Sequence, residues 1–366
     1  MKIIQIIPMF GLAGAETMCE NLSLELKNQG HDVKVASLYD YHSAITDRLE
    51  NNNVEIYYLG KKKGWDSTII PKLVRLFKNQ RPDIVHSHLY AIKYVMIAAC
   101  LAGVKGKIHT VHNIASKENA EIGQHLNYLF FKYAGVIPVS LSAEIQKTIM
   151  ERYRLSEEQT PIVYNGIDFN KCIKKKCYDK SEKLIFIHIG RFSEQKNHEL
   201  LIKAFAKVYE QNKDTELYLI GTGELQEKIK IQIDNLKLDQ SVHCMGLKDD
   251  IYSWLNYADA LVMSSKYEGM PMTIIEAMGT GLPVISTNVG GIASMIENGQ
   301  EGILTNIDEN ELSVAMCKMK DVKFRECLGK NARAKAEKLF SSKKMAQKYL
   351  DIYKKELESE KNKKQG

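Results

Sequence analysis

Short runs rich in isoleucine, valine and leucine recur along this whole chain, with segments of helical apolar spacing between them. In the first half they are KIIQIIP, DVKVASL, VEIYYL, DIVHSH, KIHTVH, VIPVS and PIVYN. In the second they are LIFIHIG, ELYLI, VHCM, ALVMS, PVIST and GILT. Helical patterns such as 15–27, 200–209 and 225–236 lie between them. Strands apolar on both faces and alternating with helices are what a parallel sheet covered on both sides requires. Two such series predict an α/β chain of two Rossmann-like, doubly wound domains. The length of 366 residues agrees, at one domain per ~150 residues. The lysine-rich, turn-prone stretch from Phe169 to Lys183 separates the series, which predicts domains over 1–168 and 169–340. Residues 341–366 read as a long amphipathic helix and a charged tail. Open parallel sheets bind ligands at the carboxyl ends of their strands, so the expected site is a cleft between two facing domains.

Composition removes several function classes. At 44% hydrophobic and 26% charged residues, the chain is of the soluble globular kind. Its longest apolar run, Tyr94 to Val104, is about half of the ~20 residues that a membrane span needs. The start, MKIIQIIP, is too short for a secretory signal, so a cytoplasmic protein is expected. The net charge of +6 forms no aromatic-interleaved stripe, which argues against nucleic acid as a partner. Lysine clusters at 61–63, at 174–176 and in the tail leave attraction to an anionic membrane surface open. Seven cysteines without a Cys-x-x-Cys pair argue against a disulfide framework or zinc ribbon.

The second half carries most of the chemistry. Gly190-Arg191-Phe192 closes a strand and Lys196-Asn197 precedes a helix. A planar fork of donors and a compact ammonium at a strand's carboxyl end suit a diphosphate. Gly221-Thr222-Gly223-Glu224 is phosphate-loop-like, but Gln226 stands where a dinucleotide fingerprint needs its third glycine. In SKYEGMPMTIIEAMGTGLPVI, residues 265–285, Glu268 falls on a Gly/Pro-rich turn and Glu276 falls early in a helix expected to start at Pro271. The amides of Gly269 and Met270 would then form an anion site. Carboxylates beside a diphosphate repel it unless they accept hydrogen bonds from hydroxyls, and a sugar and a ribose offer these. Gly290-Gly291 supplies another turn for close backbone approach.

In the first half, Phe10-Gly-Leu-Ala-Gly-Ala-Glu16 follows the first strand, with Gly11 and Gly14 on its strand-to-helix turn. His86 and His88 stand in IVHSHLY, and His109 and His112 in IHTVHNI. His-x-His at a strand end admits zinc as one reading, with no carboxylate or cysteine evident beside it.

In their order, Gly190-Arg191, Lys196-Asn197, Gly221-Thr-Gly-Glu224, Ala258-Asp259, Glu268-Gly-Met-Pro271, Glu276 and Gly281-Leu-Pro-Val284 resemble the family 4 glycosyltransferases, retaining enzymes of the GT-B fold. Asn165-Gly-Ile-Asp168 resembles that family's entry into its second domain, and the last helix the one that crosses back onto the first. The resemblance implies that Arg191 and Lys196 hold the donor diphosphate, Glu276 the ribose and Glu268 the transferred sugar. Gly14, Gly223 and the backbone of Gly269, Met270 and Pro271 would line the donor pocket. His112 resembles the histidine near the anomeric centre and acceptor, and His88 a cleft-facing residue. Such chains resemble enzymes that build capsule, exopolysaccharide or lipopolysaccharide, and the resemblance implies a nucleotide sugar, with UDP first, and a glycan or lipid-linked acceptor. Peripheral contact with the inner face of the membrane is implied with it, at 61–65 or 119–133, where Leu126, Leu129 and Phe130 face core or lipid. No Asp-x-Asp pair occurs, so no metal cofactor is expected. The rival readings are a non-hydrolysing nucleotide-sugar epimerase and a non-catalytic sugar-nucleotide-binding subunit.

Overall fold

The computed structural model describes residues 1–118, 121–179 and 183–362. Residues 119–120 of the proposed 119–133 membrane segment, 180–182 of the expected interdomain joint and the end of the charged tail lie outside them. The chain divides into two units, Met1–Gly166 with the segment from Ser342 onward, and Ile167–Ser341. The expected divisions fell after 168 and 340. Ile167 is held in the second unit because its N–H donates to the Phe340 carbonyl (2.9 Å) and it bridges Ser341.

In the first unit, β1 (Lys2–Ile7), β2 (Asp32–Ser37), β3 (Glu55–Tyr58), β4 (Ile84–His88), β5 (Gly106–Val111) and β6 (Val136–Ser140) form one parallel sheet in the order β3-β2-β1-β4-β5-β6. Helices cover both faces, and this is why Ile3, Ile4, Ile6 and Ile7 of β1 are all buried, with Gln5 among them. The helix Ser342–Asn362 also packs in this unit, with Met345, Ala346, Tyr349, Leu350 and Tyr353 buried at helical spacing. The expected strand PIVYN does not form. Pro161 has no N–H to offer, and the segment makes one bridge, Ser140 with Ile162, flanked by two hydrogen bonds before the chain leaves.

In the second unit, β7 (Leu184–Ile189), β8 (Thr215–Ile220), β9 (Val242–Gly246), β10 (Ala260–Met263), β11 (Val284–Thr287) and β12 (Gly302–Thr305) pair in parallel in the order β12-β11-β10-β7-β8-β9. Phe186, Phe205, Leu217, Val262 and Ile285 are central to its core. Each such side chain contributes about 1.5–3 kcal/mol by leaving water.

Both orders reverse once, between β1 and β4 and between β7 and β10. At these switch points the loops leaving two neighbouring strands diverge, and a crevice opens at the carboxyl ends. The loops after β1, β4, β7 and β10 are therefore the ones to read for chemistry. Among the described residues no helix is long and apolar enough to cross a membrane.

Candidate active site

Two loops flank the switch point of the second sheet, 190–197 after β7 and 264–271 after β10. They are sewn together. The Lys266 N–H donates to the Gln195 carbonyl (2.8 Å), and the Gln195 amide to the Tyr267 carbonyl (3.0 Å). The Ser264 hydroxyl donates to the carbonyls of Lys196 (2.9 Å) and Asn197 (3.0 Å). Asn197, which precedes the helix His198–Gln211, is left-handed (φ 51°), a conformation Asn tolerates better than most residues.

This stitching brings Lys196 and Glu268 together. The Lys196 stem lies over Gly190, where a Cβ would come within 3.3 Å of it. Its ammonium meets Glu268 Oε1 at 2.6 Å, the Ser265 hydroxyl donates to the same oxygen (2.7 Å), and the Gln195 amide reaches the other (3.4 Å). Glu268 is 5% exposed, so its charge depends on these partners. The family resemblance implied Lys196 for the phosphate and Glu268 for the sugar, and the structure pairs the two directly. Arg191 is exposed and makes no ion pair among the described residues, which leaves its guanidinium open to an anion.

The glycines around this pair serve close backbone contact. A Cβ at Gly223 would lie 2.4 Å from the Phe192 carbonyl oxygen, against which Leu225 N–H also donates (3.0 Å). Gly223 thus seats the Arg191 loop. At Gly290, left-handed with φ +55°, a Cβ would lie 1.9 Å from the carbonyl oxygen of Glu268.

The helix expected from Pro271 begins one residue later and runs Met272–Thr280. Pro271 has an extended ψ of 123°, which puts it at the cap, and it offers no side-chain hydrogen bond to the first turn. That start adds the first-turn amides of Met272 and Thr273 to the candidates for an anion. Gly269, Met270 and Pro271 are buried. Glu276, also buried, has a separate neighbourhood with Tyr252 and Cys172. Burial, with the charge of Glu276 adding to it, raises the Tyr252 phenol, and burial chiefly pushes the Cys172 thiol up to about 12.

In the first unit, Gly14 is the exposed first residue of the helix Gly14–Asn28, which Ala13 precedes without a side-chain cap. His88 closes β4 and His112 follows β5, with His88 Nδ1 3.0 Å from His112 Nε2 and His88 Nε2 2.9 Å from Gln5 Oε1. Burial, with other histidines adding to it, pushes His88 well below the usual imidazole range, and burial pushes His112 down to about 3. Both are neutral near pH 7. The nitrogens of His86 are engaged by Tyr353 and Thr110 (2.7 Å each), and His109 Nδ1 by Ser87 (2.9 Å). Among the described residues no three His, Cys, Asp or Glu converge to hold a metal ion.

Sequence reading passed over Glu118, which sits in the polar-looking string SKENAE. Its side chain is 2% exposed, and it accepts from the N–H groups of His112 (3.3 Å) and Asn113 (3.0 Å). Burial raises its carboxyl to about 7. A folded-state value above the unfolded one gives stability that is full below pH ~4.3 and is lost as pH rises through about 7. Glu118→Gln keeps an acceptor there and removes the titration. Between pH 5.5 and 8.5 the parent should lose ~1–3 kcal/mol more than the variant, read from urea midpoints. Parallel pH profiles would refute the assignment.

Comparison with known proteins matches both halves. Residues 12–171 fit the model described as Glycosyltransferase Family 4, and residues 171–335 that described as Glycosyl transferases group 1. An Escherichia coli UDP-Gal:alpha-D-GlcNAc-diphosphoundecaprenol alpha-1,3-galactosyltransferase is 28% identical over 306 residues, 79% of each chain. A Bacillus anthracis N-acetyl-alpha-D-glucosaminyl L-malate synthase is 26% identical across 96% of each. The crystal structure of Anabaena HepE in complex with UDP and glucose superposes with a TM-score of 0.84 at 21% identity, covering 96% of this chain and 99% of that one. That likeness establishes a GT-B fold built of the two Rossmann-like units described above. Matched almost end to end by the two models, the chain belongs to the family 4 glycosyltransferases.

Proposed function

We propose that the chain moves a sugar from a UDP-sugar to a glycan or lipid-linked acceptor, with retention at the anomeric carbon and without a metal ion, in cell-surface polysaccharide synthesis. The Lys196–Glu268–Ser265 cluster at the second switch point carries this reading. It sets a cation for the departing diphosphate beside a carboxylate that already accepts from a hydroxyl, as it would from a sugar. Arg191 and the uncapped amides of Met272 and Thr273 add to the stabilisation of phosphate charge. Glu276 takes the ribose. The acceptor hydroxyl attacks on the face the diphosphate leaves and gives that diphosphate its proton, while His112, neutral, orients the hydroxyl.

A diphosphoundecaprenol-linked acceptor in the E. coli relative's name supports a lipid-linked acceptor here. Peripheral contact at the inner face of the cytoplasmic membrane is proposed through the first unit. There, Trp65 is 57% exposed and stacks on Tyr94, with Lys93 over both rings. On the helix Glu121–Tyr133, Leu129 and Tyr133 are exposed and Phe130 is buried.

A transfer assay tests the whole reading. A panel of UDP-sugars is offered with a sugar-diphosphate-polyprenol acceptor, with and without EDTA, and the product anomer is read by NMR. Transfer with the donor's anomeric configuration, unaffected by EDTA, is expected. UDP should also stabilise the fold by ~2.7 kcal/mol at 100 times its Kd. An inverted product, dependence on a divalent ion, or epimerisation without acceptor overturns the proposal.

A further inference from the structure

A line of hydrogen bonds runs inside the first unit from the last helix to His112. Tyr349 and Tyr353, one turn apart on Ser342–Asn362, are both fully buried. The Tyr349 hydroxyl lies 2.7 Å from Thr110 Oγ1, and Thr110 Oγ1 lies 2.7 Å from His86 Nε2. His86 Nδ1 lies 2.7 Å from the Tyr353 hydroxyl, which accepts from the Gln5 side-chain amide at 3.5 Å. The Gln5 oxygen lies 2.9 Å from His88 Nε2, and His88 Nδ1 lies 3.0 Å from His112 Nε2.

The bond directions follow from what each group can do. A neutral imidazole has one donor and one acceptor, and an amide oxygen only accepts. Gln5 Oε1 therefore requires N–H at His88 Nε2, which leaves His88 Nδ1 as the acceptor. His112 then donates from Nε2 and keeps a lone pair on Nδ1. Turning the Gln5 amide over would reverse every later bond, and His112 Nδ1 would carry hydrogen instead. With the Tyr353 hydrogen given to His86 Nδ1, the Tyr353 oxygen is left to receive the Gln5 N–H, and the amide is then held in this orientation.

We infer that Tyr353, acting through Gln5 and His88, fixes the tautomer of His112 so that Nδ1 accepts a hydrogen bond from a substrate hydroxyl. This rests on the proposed place of His112 in transfer and adds a positioning residue to it, one supplied by the last helix.

The test is long-range 1H–15N NMR of the full chain labelled at its ten histidines, with His112 assigned by its loss in His112→Asn. The parent should show His112 protonated at Nε2 alone. In Tyr353→Phe, which keeps the buried ring, a mixture or the reverse tautomer is expected. Turnover should fall on the order of tenfold at an unchanged KM, well short of the ~10⁴-fold that a wholly wrong tautomer costs a triad histidine. An unchanged His112 tautomer in the folded variant overturns the inference. If Tyr353→Phe does not fold, Gln5→Met asks the same of the relay, and an unchanged tautomer there overturns it equally. A shifted tautomer with unchanged kinetics upholds the relay and rejects the part of His112 in transfer.

Discussion

Lys196→Ala is expected to lower kcat/KM by ~10³-fold, the upper end of the range for removing one preorganised donor to developing charge. The loss has two sources, and they can be separated. Lys196 pairs with Glu268 at 2.6 Å, and in the proposed transfer it also meets the departing diphosphate. Its removal strands a carboxylate whose side chain is 6% exposed, and breaking a buried pair in this way costs ~3–5 kcal/mol. Since the lysine side chain keeps 16% exposure, solvent screens part of this, and ~2 kcal/mol is the expected drop in stability. The double variant Lys196→Ala/Glu268→Gln should regain most of that stability, because Gln needs no counter-charge, and should regain none of the turnover. Urea midpoints and kcat/KM on the three proteins decide it. Activity restored along with stability would mean that Lys196 serves the fold alone.

Gly290→Ala is the second large effect, at about 2–4 kcal/mol of stability with turnover lost alongside it. Its Cβ would fall 1.9 Å from the carbonyl oxygen of Glu268, a backbone atom that no side-chain rotation can move. Either the turn after β11 or the one carrying Glu268 must shift, and in the latter case the carboxylate leaves Lys196 and Ser265. Gly299→Ala is the comparison. Gly299 is also left-handed, at φ +81°, but a Cβ there meets nothing within 4 Å. That variant should lose only about 1 kcal/mol, the conformational part, and keep its activity. Calorimetry and turnover measured on both variants test the contrast, and equal losses would show that the contact with Glu268 is of no consequence.

The parallel-sheet architecture was legible because its signal is local. A strand buried on both faces must be apolar at nearly every position, and KIIQII or LIFIHI satisfies this without reference to the rest of the chain. VIPVS and PIVYN show the limit of such reading. Pro138 is accepted in β6, an edge strand whose one partner strand is β5, whereas Pro161 begins a segment that makes a single bridge, to Ser140 at the end of β6. The candidate site was legible residue by residue but not in its pairings. Lys196 and Glu268 are 72 residues apart, and no local pattern shows that the switch between β7 and β10 sets them in contact. Glu118 looks like one more solvated acid in SKENAE, and only packing around it reveals a carboxyl near neutrality. Tyr349 and Tyr353 have the spacing of a helix's buried face, which the sequence shows, but the hydroxyl at the end of each ring finds its partner on β4 or β5.

The helix Ser342–Asn362 belongs to the unit of β1 to β6, from which it is separated in sequence by the whole second unit. On the ribosome, β1 to β6 emerge long before it, and until it arrives His86, Thr110 and Gln5 lack the hydroxyl partners that the finished interior gives them. Unmatched buried polar groups are costly, so closure of the first unit is expected to wait for this 21-residue helix. The order of completion is then the reverse of the order of synthesis: the second unit, continuous in sequence from Ile167 to Ser341, can finish first, and the unit of β1 to β6 finishes only after Ser342–Asn362 has been made.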